Sequence, residues 1–74
     1  MDITKLKTKD IATITGFQNN EINLVNRLKA LGFTAGTQVT MLHKLPFGGP
    51  VGFAVKGAKV MLRRHDAEHI LVSI

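Results

Sequence analysis

No cysteine occurs anywhere in the 74 residues of the chain, and at this length that is the strongest constraint on how it can fold. Domains this small are commonly stapled by disulfides or by thiolate-bound metal, and neither is available here. Hydrophobic packing alone must hold the domain, and a core of this size supplies about 3–5 kcal/mol. The same absence removes a Cys nucleophile. A second folded unit has no room, so residues 1–74 read as one domain. With 45% hydrophobic and 20% charged residues, the chain is too apolar and too lightly charged for disorder.

Ten Lys and Arg stand against five Asp and Glu, a net charge of +5 with a pI near 10.1. Such a balance favours acidic or polyanionic partners. The charge is spread through both halves rather than gathered in a tail, so it belongs to the folded surface. No apolar run approaches the roughly 20 residues a membrane span needs. The start, Met1-Asp2-Ile3-Thr4-Lys5, lacks the basic opening and apolar core of a signal peptide. A cytoplasmic protein, peripheral to the inner membrane at most, is expected.

After a short lead containing Ile3 and Leu6, residues 10–17 alternate in period two and are rich in β-branched side chains, which predicts a strand. Asn19 or Asn20 offers a helix cap, Glu21 falls in the first turn, and Leu24, Leu28 and Leu31 recur at i, i+4, i+7 with Val25 beside them. This is an amphipathic helix whose leucines should be buried, ended by Gly32. Residues 37–45 return to period two. Pro46-Phe47-Gly48-Gly49-Pro50 cannot continue that strand and reads as a compact loop. Two further strands, 51–56 and 59–62, flank Gly57-Ala58, the Gly-X pair of a type II′ hairpin. A short helical piece over 63–68 precedes a closing strand from His69 to Ile74. Five short strands and so little helix predict a mainly β fold with one or two short helices, best arranged as a small, partly closed barrel with the helix over one end.

The run Arg27-Leu28-Lys29-Ala30-Leu31-Gly32-Phe33-Thr34-Ala35-Gly36-Thr37-Gln38-Val39 resembles the RL-x-x-LG-[LF]-x-x-G-x-x-V signature of the FeoA family. Pro46-Phe47-Gly48-Gly49-Pro50-Val51 is similar to that family's P-L-G-D-P-I loop, Val55-Lys56-Gly57 to its V-[RK]-G turn, and Leu62-Arg63-Arg64 with Ile70-Leu71-Val72 complete the order. The resemblance implies an SH3-like β-barrel, not an enzyme. It also implies a cytoplasmic partner or regulator of the ferrous-iron transporter FeoB, whose cytoplasmic part is a GTPase. Three positions depart from the family: Gly49 stands where Asp is usual, Ala35 where Pro is usual, and Thr8-Lys9-Asp10 where a Pro-Gly turn commonly opens the first strand.

The docking residues expected are the loop Pro46 to Pro50, with Phe47 as an apolar anchor on a stiff frame. Phe47 folded back as a lid over the barrel is the other reading of the same residues. Gly32 and Phe33, at the end of the helix, could form a second docking edge, although Phe33 also reads as core. Lys44, Lys56, Lys59, Arg63 and Arg64 could line one basic face that steers approach to an acidic GTPase surface or to anionic headgroups. A nucleic-acid-binding barrel is the runner-up. It lacks the stacking rings such barrels use, since the chain has no Trp or Tyr and four Phe.

His65-Asp66-Ala67-Glu68-His69 formally fits the H-x-x-E-H pattern of zinc peptidases, but the following Ile70-Leu71-Val72 leaves room for only one helical turn. The surviving metal reading is a small divalent-metal site using His65 and His69, with His43 as a further candidate. Exposed turn residues are the default, and no cofactor is expected. The oligomeric state is open, with exposed strand edges allowing association.

Overall fold

The computed structural model describes residues 1–18 and 21–74. Five strands carry the fold: β1 (Ile11–Phe17), β2 (Gln38–Lys44), β3 (Val51–Val55), β4 (Ala58–Leu62) and β5 (Ile70–Ser73). Two short helices interrupt them, α1 (Ile22–Ala30) and α2 (Arg64–Ala67). All neighbouring strands are antiparallel and lie in the order β4-β3-β2-β1-β5. Period-two alternation sets the faces. Ala12 and Ile14 of β1 point inward with Val39 and Met41 of β2, while Ile11 and Thr15 stay exposed.

The sheet coils rather than lying flat. Register shifts between Ile14 and Gly16 in β1 and between Met41 and His43 in β2 are bulges of the kind that sharpen strand twist. The molecule measures 28 × 24 × 22 Å, nearly equal in all directions, and both edge strands feed one core, Leu62 from β4 and Ile70 and Val72 from β5. The result is the small SH3-like barrel class expected, stopping short of a closed ring. α2 joins the two edges, carrying the chain from the end of β4 to the start of β5.

Four local features differ from the sequence reading. The lead is a structural element: Ile3–Lys5 forms one turn of 3-10 helix capped by Asp2, whose carboxylate accepts from the Thr4 N–H at 2.8 Å, and Ile3 and Leu6 are fully buried. Just before it, Val72 N–H donates to the Met1 carbonyl at 2.8 Å and Asp2 pairs with Leu71. The chain start thus covers part of the free edge of β5.

Leu31 is 46% exposed instead of buried. The helical residues end at Ala30, and at Leu31 the chain turns out toward Gly32 (φ +107°), so only Leu24 and Leu28 of the expected stripe enter the core and Phe33 takes the third place. The β3–β4 turn is centred on Lys56 and Gly57, with φ of 50° and 79°, and Val55 pairs with Ala58 across it. Positive φ at both centres is the type I′ arrangement, so the II′ turn expected at Gly57-Ala58 is corrected by one residue. The cap expected at Asn19 or Asn20 lies outside the described residues. Glu21 caps α1, its carboxylate accepting from the N–H groups of Asn23 and Leu24 at 3.2 Å each.

Candidate partner-docking site

The loop between β2 and β3 is the tip of a hairpin, and its backbone is tightly specified. Phe47 and Gly48 both take positive φ, 60° and 73°, and Gly49 N–H closes the turn on the Pro46 carbonyl at 3.2 Å. Leu45 N–H reaches the Pro50 carbonyl at 3.3 Å, extending the ladder to the base of the turn. Two prolines fix φ on either side. A non-glycine residue at φ near 60° is uncommon and costs backbone energy, so Phe47 sits in a conformation that its neighbours impose.

That conformation throws the ring outward. Phe47 is fully exposed at 103% of its reference area, which overturns the reading of Phe47 as a lid on the barrel. Leu45, 45% exposed, widens the apolar tip. The sequence signal for Leu45 is an apolar residue between the end of β2 and a proline turn. A side chain at Gly49 would be tight: a Cβ there would lie 3.0 Å from the Leu45 Cβ and 3.2 Å from the Pro46 carbonyl oxygen, so these neighbours would have to give by a few tenths of an ångström. With Leu45, Pro46, Phe47, Gly48, Gly49 and Pro50, the tip carries no charged side chain.

Phe33 does not share the site. Its ring is wholly buried and meets Phe53 edge to face, centroids 5.8 Å apart at 83°, so its role is packing. Gly32 is half-buried beside the β3–β4 turn, where a Cβ would meet Val55 and Lys56 at 3.5–3.6 Å. The second docking edge expected at Gly32 and Phe33 thus presents no Phe33 side chain to solvent.

The five basic residues do not form one face. Lys44 pairs with Val51, which pairs with Leu62, directly before Arg63 and Arg64. Lys56, in the turn, and Lys59, just after it, lie at the other end of the β3–β4 hairpin. Two clusters result, with Lys44, Arg63 and Arg64 at the end of the hairpin that carries the Phe47 loop. Arg64 is half-buried, and its Nε is buried without a hydrogen-bond partner.

His65 and His69 come together on and after α2, their rings edge to face, whereas His43 lies on β2 opposite Gly52. Among the described residues, no group of three or more His, Cys, Asp or Glu could hold a metal, and no helix is long and apolar enough to cross a membrane.

The chain matches the FeoA domain family model over residues 1–74. No curated protein matches it. Among solved structures, the FeoA protein of Chlorobium tepidum is 31% identical with a TM-score of 0.86, the match covering 100% of this chain and 70% of that one. FeoA of Stenotrophomonas maltophilia, solved with zinc, is 29% identical with a TM-score of 0.84, covering 99% and 89%. It is described as a prokaryotic SH3-domain protein and a suggested activating factor of bacterial ferrous-iron transport. A manganese-dependent transcriptional repressor shares the fold at 19% identity and a TM-score of 0.87, over 100% of this chain and 41% of the repressor.

Proposed function

The chain belongs to the FeoA family, and from that premise we propose that it is a non-enzymatic, cytoplasmic accessory protein of ferrous-iron uptake. Its partner in this reading is the GTPase-containing cytoplasmic region of a FeoB-type transporter, bound by surface complementarity. The observation that carries the proposal is the Phe47 tip, where a full aromatic ring stands in water on a backbone already fixed by Pro46, Gly49 and Pro50. Such a ring contributes little to folding. Docked into a pocket it removes a large apolar area from water with little further loss of conformational freedom. Lys44 and Arg63, at the same end of the sheet, supply positive charge for approach to an acidic surface.

The nucleic-acid reading loses its support on the same observations. Phe33 and Phe53 are buried and Phe17 is half-buried, leaving one ring for stacking, and the basic residues divide between two ends.

The test is equilibrium binding of the purified chain to the isolated GTPase region and to the full transporter, with Phe47→Ala beside the wild type. The wild type should bind, and Phe47→Ala should weaken binding by tenfold or more, the loss expected of an aromatic anchor. Absence of wild-type binding to both forms of the transporter overturns the proposal.

A further inference from the structure

The pair of histidines that brackets the junction of α2 and β5 is used neither by the core nor by the Phe47 tip. Their spacing is i, i+4, which places two side chains on one side of a helical turn. The rings lie 5.4 Å apart between centroids, with their planes at 83°. A tetrahedral ion binds imidazole nitrogen at about 2.0–2.1 Å, and with about 1.2 Å from nitrogen to ring centre, two ligating rings have centroids about 5.2 Å apart. The centroid separation of the unliganded pair matches that of a chelating pair, and rotation of the rings about their side-chain torsions is what would aim one nitrogen of each at a shared ion.

The backbone holds both histidines in place. His69 N–H donates to the Asp66 carbonyl at 3.3 Å, and the His69 carbonyl accepts from Gln18 N–H at 3.0 Å, tying the residue to the chain just beyond β1. Ala67, between them, is completely buried and anchors the turn, while Ala67 and Glu68 N–H close it on the carbonyls of Arg63 and Arg64 at 3.0 Å each. His65 is exposed and His69 half-buried, so an ion can reach the pair from solvent.

We propose that His65 and His69 form a two-histidine site for a late first-row divalent metal ion of the zinc and nickel class, with water filling the remaining positions. Imidazole suits these ions better than it suits magnesium, calcium or manganese. The absence of a third protein ligand among the described residues makes the site open and exchangeable. That open coordination separates it from a closed structural zinc site, and the one-turn helix separates it from a peptidase centre.

The experiment is titration of Zn²⁺ alone into the whole chain in a non-coordinating buffer. Affinity and stoichiometry are read by calorimetry, and the ring resonances of the three histidines by NMR. Wild type should bind one ion per chain, with the His65 and His69 resonances moving and those of His43 unmoved. His65→Ala and His69→Ala should each lower affinity at least tenfold, and His43→Ala should leave it unchanged. His65 is exposed, so its variant keeps the fold and remains informative even if His69→Ala does not. Equal affinity of wild type and His65→Ala, or loss of binding in His43→Ala, overturns the proposal.

Discussion

Two phenylalanines six positions apart have opposite meanings, and the difference is where the backbone sends each ring. Phe53 faces inward from the middle of β3, fully buried against Phe33. Truncating such a ring costs about 3–5 kcal/mol, comparable with the whole stability a domain this small commands. Phe47 touches solvent on all sides. Phe53→Ala should therefore be largely unfolded at 25 °C by circular dichroism, while Phe47→Ala should unfold in urea within about 0.5 kcal/mol of the wild type. If Phe47→Ala lost stability as Phe53→Ala does, the ring would be a packing residue and its exposure no argument for docking. Alternation along the sequence separates strand faces well enough to identify Phe53. It carries no information about Phe47, because in a turn the direction of a side chain follows from φ and not from parity.

At the scale of elements, the predictions concern how helices and turns are started and closed. Glu21 caps α1 with its side chain, accepting from the N–H groups of Asn23 and Leu24. Capping groups of this kind contribute about 0.5–2 kcal/mol, so Glu21→Ala should lower the urea midpoint by that equivalent, and an unchanged midpoint would show that the helix is held by Leu24 and Leu28 alone. The opposite sign is expected at the β3–β4 turn. Lys56 sits at φ 50° before Gly57 at 79°, the place where Asn is the preferred residue of a type I′ turn, so Lys56→Asn should raise stability by about 0.5–1 kcal/mol in the same measurement. The strands, the helix and their order were legible because β-branched alternation and leucine spacing are strong local signals. Three features were hidden. The turn's exact position is one, because Gly fits both I′ and II′ turns and only the pairing of Val55 with Ala58 decides between them. Leu31 read as core because helical periodicity continues past the point where the helix stops. Ile3 and Leu6 read as a lead because two apolar residues make no period, and only tertiary packing shows that they complete the core. In the candidate site, the Pro-Phe-Gly-Gly-Pro run was visible as a rigid turn, while the exposure of its ring, the addition of Leu45 and the burial of Phe33 belong to the folded arrangement.

Across the whole molecule, whose net charge is +5, the β3–β4 hairpin separates five of the basic residues into two groups. Lys44, Arg63 and Arg64 lie toward the end that carries the Phe47 loop, and Lys56 and Lys59 lie at the end remote from it. Long-range attraction to an acidic partner depends on total charge, but the charges that face the partner in the encounter complex weigh most, since salt screens interactions beyond about 8–10 Å. If the Phe47 tip is the docking point, the two clusters should separate kinetically. Lys44→Glu with Arg63→Glu should slow association with the transporter's GTPase region several-fold at low salt, with a smaller change in dissociation. Lys56→Glu with Lys59→Glu carries the same change in net charge and should slow it far less. The gap between the two variants should close as ionic strength rises, because screening removes what distinguishes them. Stopped-flow or surface-binding association rates at two salt concentrations measure this directly. Equal slowing by both pairs would mean that net charge alone steers approach, and greater slowing by the Lys56 and Lys59 pair would move the docking face to the other end of the barrel, beside Gly32.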